Sequence, residues 1–213
     1  MSYHSDRGET LVVLDYGMSN LFSVSNALAS LGVRATVTAR PEELAAADRA
    51  ILPGVGAFGA GMRNLRERGL DTAIRDFARS GRPLLGICLG MQLLATKGHE
   101  HGDHEGLGIV PGTVVRLPTK GGARVPHIGW NTMECQDGAQ ACRNLGPRAD
   151  FYFVHSYHMQ VEDEADVCGW CEHSIRFVAA VERGAVMGTQ FHPEKSHRAG
   201  LTLLKNFLAL PPC

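Results

Sequence analysis

The chain has 213 residues, 44% of them hydrophobic and 20% charged, and its 21 basic against 22 acidic side chains leave a net charge of -1. That is the make-up of an ordinary globular protein, and a chain this long buries roughly 70% of its unfolded surface without staples. The scattered, balanced charge excludes the one-sided basic face of a nucleic-acid binder. No apolar run approaches the ~18 residues of a membrane span. The polar stretch Met1–Thr10 lacks the apolar core of a secretory leader. We therefore expect one domain over residues 1–213, with its core at about 10–208, working in the cytoplasm with neither a nucleic-acid nor a membrane partner. The six cysteines (Cys88, Cys135, Cys142, Cys168, Cys171 and Cys213) are expected as free thiols, since a chain of this size needs no disulfides.

In chain order, Leu11–Asp15 reads as a buried strand and Asn20–Leu31 as an amphipathic helix ending at Gly32. Val33–Thr38 is a second strand, Pro41–Ala47 a short helix opened by proline, and Ala50–Pro53 a third strand. Helices fill residues 59–80. Pro83–Cys88 is a fourth strand that runs directly into a helix over Leu89–Thr96. Strands alternating with helices predict an α/β fold, an open and mostly parallel sheet with helices on both faces. The second half reads differently: strands at Val114–Leu117, Phe151–Val154, Ile175–Val181 and Val186–Phe191, polar glycine-rich loops at 98–106 and 118–124, and a last helix at Ala199–Leu210. Additional antiparallel strands are expected there. No repeat or interdomain linker is visible.

Gly86-Ile-Cys88-Leu-Gly90 falls where an apolar strand meets a helix, the setting of a nucleophile elbow. Glycines flank the nucleophile because so tight a turn leaves no room for side chains. The elbow lifts the sulfur to the carboxyl end of the sheet, where α/β ligands bind, and the helix start favours thiolate. A free cysteine titrates near about 8.5, so it also needs a base. Gln92, one turn on, shares the helix face of Cys88. A buried structural cysteine between two packing glycines is the bland alternative.

Gln190-Phe-His192-Pro-Glu194-Lys-Ser196 follows a strand and offers a base with its orienter. A catalytic imidazole requires a carboxylate on its far nitrogen to fix the tautomer. In extended chain, positions i and i+2 point the same way, but the two cannot bond squarely without a local turn. Pro53-Gly54-Val55-Gly56-Ala57-Phe58-Gly59 formally contains G-x-G-x-x-G, the pattern of a dinucleotide site. It follows the third strand rather than the first, and Asp71 and Asp76 fall in helical sequence instead of ending a strand, which weighs against a nucleotide. The other reading is an oxyanion turn, in which Gly54 and Gly56 let backbone N–H groups face the nucleophile and Leu89 N–H supplies a second donor.

With these motifs placed, the chain resembles the class I (triad-type) glutamine amidotransferases. Asp15-Tyr-Gly-Met, Pro53–Gly59, Pro126-His-Ile-Gly-Trp-Asn131, Tyr152-Phe-Val-His-Ser-Tyr157 and Gln190–Ser196 narrow the likeness to the glutaminase subunits of imidazole glycerol phosphate synthases, over about residues 10–208. The resemblance implies Cys88 as nucleophile, His192 as general base and acid, and Glu194 as orienter. It implies that Gln92, Glu100, Ser156 and Tyr157 bind glutamine and that Gly54-Val55-Gly56 completes the oxyanion hole with Leu89. It further implies a heterodimer with a (β/α)₈ cyclase subunit contacted by Asn20, Trp130, Tyr152 and Lys195, into which ammonia passes for histidine biosynthesis, with no cofactor and no metal. Two departures stand out: Ser19 replaces a usual glycine, and Ala95–His99 replaces a more acidic segment before Glu100.

Other clusters read as bland. Cys168-Gly-Trp-Cys171 has no second C-x-x-C to complete a zinc site, and His99, His101, Asp103 and His104 read as a solvated loop. A free-standing cysteine hydrolase would carry its acid between the Cys and the His, whereas here the acid follows the His. A non-catalytic scaffold would have no reason to keep Cys88, His192 and Glu194.

Overall fold

The unbroken apolar sequence of β1 (Leu11–Leu14) leaves it buried on both faces, with Leu11 and Val13 packed to one side of the sheet and Val12 and Leu14 to the other. In the computed structural model, which describes residues 9–119 and 122–211, β1 lies between β2 (Thr36–Thr38) and β3 (Arg49–Gly54). β3 in turn pairs with β4 (Leu84–Cys88), and all these pairings are parallel. The connections are α1 (Leu21–Ser30), α2 (Pro41–Ala46), and the pair α3 (Phe58–Glu67) and α4 (Leu70–Arg79), parted by Gly69 in a left-handed conformation. Helix α5 (Leu89–Leu93) leaves β4 without a linker and is shorter than predicted. The N–H groups of Leu94 and Ala95 bond three residues back, and Thr96 N–H donates to Gly112, which draws the chain away into other structure.

That structure is a small second sheet made of β5 (Lys97–Gly98), β6 (His104–Glu105), β7 (Gly112–Arg116) and β10 (Tyr157–Val161), in the order β10-β7-β5-β6. The large sheet continues past β4 with β13 (Val186–Thr189), still parallel. It then turns antiparallel through β12 (Ile175–Arg183), β11 (Val167–His173), β8 (His127–Cys135) and β9 (Arg148–His155). Helices α1 and α6 (His197–Leu208) cover one face, and α2 to α5 the other. The predicted α/β class with its antiparallel extension is the class observed.

Among the described residues five strands went unpredicted: the two-residue strands β5 and β6, in and beside the stretch 98–106 read as a polar loop, and β8, β10 and β11. β8 is mostly exposed or half-exposed and carries Gly129 and Asn131, β10 follows β9 after a single residue, and the two cysteines of β11 suggest a site more than a strand. Each is held by its neighbours more than by its own composition. Cys213, Met1–Gly8 and residues 120–121 lie outside the described residues. The five described cysteines are free thiols.

Candidate active site

The elbow is built by close backbone approach. Cys88 adopts φ 54, ψ -109, a strained conformation for a residue with a Cβ and one that costs about 1–3 kcal/mol. A Cβ on Gly86 would come within 2.8 Å of Gly90 O and Met91 N, and one on Gly90 would run into the Leu52 carbonyl. Only glycine allows the first turn of α5 to press against β3 and β4, so the flanking glycines have the steric role expected of them. Cys88 is 6% exposed, and its sulfur lies 3.8 Å from the Val154 carbonyl and 3.8 Å from Gln190 Nε2.

His192 arrives from the end of β13. The sequence left open how a carboxylate two residues on could reach its ring, and the answer is a single 3-10 turn over Pro193–Lys195. The turn brings Glu194 Oε1 to 2.7 Å from His192 Nδ1, with both side chains 2% exposed. Nδ1–H therefore donates to the carboxylate, and Nε2 is left to face the nucleophile. Nε2 makes no aligned hydrogen bond in this resting geometry. Burial lowers the affinity of His192 for a proton, but the neighbouring Cys88 sulfur and Glu194 carboxylate outweigh it and raise the pKa to about 9. The segment is clamped to β9: His192 N–H donates to Tyr152 O (3.0 Å), Tyr152 N–H to Ser196 Oγ (2.9 Å), and that hydroxyl to His192 O (2.6 Å). Stacked Phe151 and Phe191 rings, 3.9 Å apart, hold the same junction.

Cys88 opens onto a cavity of about 430 Å³. Val55, Gly56, Leu89, Gln92, Glu100, Ser156 and Tyr157 all line it, so the residues foreseen for substrate and oxyanion converge on the sulfur. Gly54 lies just behind, paired with Cys88 across β3 and β4. Gln92 Nε2 donates to Tyr157 O (2.9 Å) and to Gln190 Oε1 (3.0 Å). Glu100 Oε2 accepts from Phe58 N–H (2.7 Å) and so caps α3 while its carboxylate borders the cavity. In the Gly54–Gly56 turn, Val55 N–H donates to Met18 O (2.8 Å), and Gly56 stands at φ +105.

The four residues foreseen at a partner surface do not line this cavity. Asn20 caps α1 by accepting from Ser23 N–H (3.3 Å). Trp130 is 51% exposed, stacks on His197 at 5.1 Å and meets the Tyr152 ring edge-on at 6.1 Å. Lys195 lies in the 3-10 turn beside Glu194. Phe22 (76% exposed) and Lys195 share one shallow depression, and Ile128 (61%) and Val55 (39%) border the catalytic cavity.

Sequence reading did not single out Gln190, whose amide meets both Gln92 and Cys88, or His155, which lines the cavity. Both sit inside quoted motifs, and Gln190 directly precedes the Phe-His-Pro-Glu run. Amides and imidazoles in strand sequence give no sign of which way they face.

The sequence matches the family model described as glutamine amidotransferase class-I over residues 12–210. The imidazole glycerol phosphate synthase subunit HisH of Moorella thermoacetica is 48% identical over 197 residues, covering 92% of this chain and 93% of its own length. The HisH of Rhodopirellula baltica is 46% identical over 201 residues, covering 94% and 98%. Among solved structures, PurLQS from Thermotoga maritima superposes with a TM-score of 0.75 at 20% identity, covering 94% of this chain and 97% of its own. A further glutamine amidotransferase superposes at 0.72 and 21% identity, covering 93% and 99%. At such identity the two structures speak for the fold, while the sequence relatives speak for the family. The chain belongs to the class I glutamine amidotransferases and, within them, to the HisH subunits of imidazole glycerol phosphate synthase.

Proposed function

We propose that Cys88, His192 and Glu194 hydrolyse glutamine to glutamate and ammonia, and that the ammonia passes to a cyclase subunit bound over the exposed apolar surface near the cavity. The observation that carries this reading is the convergence of a strained elbow cysteine, a carboxylate-oriented imidazole and a polar cavity at one point. The Cys88 thiolate attacks the carboxamide carbon, and the carbonyl oxygen becomes an oxyanion. His192 Nε2–H protonates the departing nitrogen, which leaves as ammonia and a thioester. His192 then takes a proton from water, whose oxygen attacks the thioester, and glutamate leaves as the sulfur is freed. Glu194 keeps the proton on Nδ1 and stabilises the imidazolium. Gln92, Glu100, Ser156 and Tyr157 hold the amino-acid end of the substrate.

Leu89 N–H is one oxyanion donor and the Gly54–Gly56 turn supplies the other. With Val55 N–H committed to Met18 O, that second donor is absent at rest, and each such donor is worth about 2.7–4 kcal/mol, or 10²–10³ in kcat. The isolated chain is therefore nearly inactive, and partner binding turns the peptide inward. Asn20, Trp130, Tyr152 and Lys195 belong to the docking surface. Exposed Trp130 and Phe22 are the kind of aromatic anchors that dominate interfaces. Among the described residues no helix is long and apolar enough to cross a membrane, and free thiols suit the reducing cytoplasm in which we place the protein.

Cys88→Ala tests the reading in the assembled complex with a cyclase. Glutamine-dependent synthesis should fall by on the order of 10⁶, while synthesis from ammonium salts stays intact. Equal loss with both nitrogen sources would overturn it, as would high glutaminase turnover by the isolated chain. A diazoketone analogue of glutamine should alkylate Cys88 in the complex.

A further inference from the structure

A chain of hydrogen bonds runs from the antiparallel strands to the nucleophile, and backbone carbonyls fix its direction. Asn131 Nδ2 donates to Glu172 O (2.9 Å), while Asn131 Oδ1 accepts from Thr132 N–H (2.8 Å), so the amide orientation is determined. The same Nδ2 stands 3.1 Å from His127 Nε2, which must then be the acceptor. His127 thus carries its proton on Nδ1 and donates to His155 Nε2 (3.0 Å). His155 in turn carries its proton on Nδ1 and donates to Tyr157 O (2.9 Å). That carbonyl also accepts from Gln92 Nε2, whose other hydrogen goes to Gln190 Oε1. With its oxygen taken, Gln190 presents its amide nitrogen to Cys88 Sγ at 3.8 Å.

The chain works in this direction only if both imidazoles are neutral. His127, His155 and Gln190 are 4%, 6% and 0% exposed. Burial pushes His155 down to about 3, with His127, His158 and His173 adding to the effect against the Tyr157 carbonyl, and burial with His173 pushes His127 down to about 4. His173 stacks on His127 at 4.0 Å and donates its own Nε2–H to Arg124 O, outside the chain. The alternative is that these rings merely fill space beside Phe153 and Phe177.

We propose that Gln190 is a hydrogen-bond donor to the Cys88 sulfur, and that the neutral His127–His155 pair is a positioning unit that holds Gln190 and Gln92 in this orientation through the Tyr157 carbonyl. This rests on the reading of Cys88 as the nucleophile. An N–H aimed at sulfur favours thiolate over thiol, and the contact tightens as charge develops. Gln92, with both amide hydrogens committed, has its Oε1 left for a donor on the substrate, such as the ammonium group of glutamine. Reversing either glutamine amide would turn an oxygen toward the thiolate, and reversing either imidazole would set a lone pair against its acceptor.

The test is the pH dependence of Cys88 alkylation by iodoacetamide in the full chain, followed on the Cys88 peptide by mass spectrometry. It does not depend on glutamine recognition, so failure of the diazoketone to label wild type and failure of this proposal are separate results. Gln190→Leu should slow alkylation at pH 7 about tenfold by moving the midpoint up about one pH unit. His155→Leu should act in the same direction by a smaller factor. His155→Asn keeps an N–H where Nδ1–H stood and should restore the wild-type profile. A Gln190→Leu profile superimposable on wild type would overturn the proposal, as would His155→Asn behaving like His155→Leu. Should one of the leucine variants fail to fold, the comparison made with the other decides.

Discussion

In the parallel half of the large sheet the site is set by steric contact, whereas in the antiparallel half it is set by charge and hydrogen bonding. β3, β4 and α5 place Cys88 through backbone atoms packed so closely that Gly86 and Gly90 admit no side chain. β8, β9 and the turn after β13 contribute imidazoles, a carboxylate and amides, each oriented by a hydrogen-bond partner. Cys88 is thus positioned by the backbone packing of β4 and α5, continuous in sequence, against β3. The groups around it are positioned by polar bonds, some local, as between His192 and Glu194, and some between residues far apart, as between Gln92 and Gln190. A fault in the first half should cost folding, and one in the second should cost chemistry.

The largest effect short of removing the nucleophile should come from the second half. Glu194→Gln leaves the turn intact but can present an amide N–H to Nδ1 and favour the wrong tautomer. Glutamine-dependent turnover of the complex should drop by on the order of 10³–10⁴, with unfolding in urea little changed. A fall of tenfold or less would mean that the carboxylate is not the orienter and would blur the contrast between the halves. Gly90→Ala probes the first half. Its Cβ meets the Leu52 carbonyl, and we expect about 3 kcal/mol of lost stability or outright failure to fold, measured by equilibrium denaturation. Tolerance within 1 kcal/mol would show that the elbow relaxes more than its packing suggests.

The smallest effect is a pH dependence of stability with opposite signs at two sites. His192 is raised from 6.5 to about 9. Its contribution is present in full below pH 6.5 and is lost as the pH climbs from 6.5 to about 9. His155, lowered to about 3, contributes fully above pH 6.5, and that contribution is lost as acid protonates the unfolded chain below 6.5. Each slope approaches about 1.4 kcal/mol per pH unit. Denaturation at pH 5, 6.5 and 8.5 should therefore find wild type most stable near the middle value. His192→Asn should flatten the alkaline side alone, and His155→Asn should lessen the acid slope alone, with His127 and His158, also lowered by burial, keeping the rest of it. If either substitution flattens both sides, the two imidazoles are coupled and the halves are not independent.

By itself the sequence determined most of the parallel half and singled out Cys88, His192 and Glu194, the groups proposed to react. Buried strands there are continuous apolar runs, and the elbow is a local motif whose glycines, nucleophile and helix start lie within five residues. Periodicity and short-range sterics therefore suffice to read it. The likeness of Tyr152–Tyr157 and Gln190–Ser196 to known glutaminase subunits pointed to the right neighbourhood for the rest. Only the tertiary structure decided that a 3-10 turn closes the two-residue gap between His192 and Glu194, that Val55 N–H is held by Met18, and that Asn131, His127 and His155 lead to Gln92 and Gln190. The physical reason is the same in each case. A polar side chain in a half-exposed strand has no hydrophobic pattern to betray its direction, and its orientation and tautomer are fixed by the donor or acceptor that burial brings opposite it.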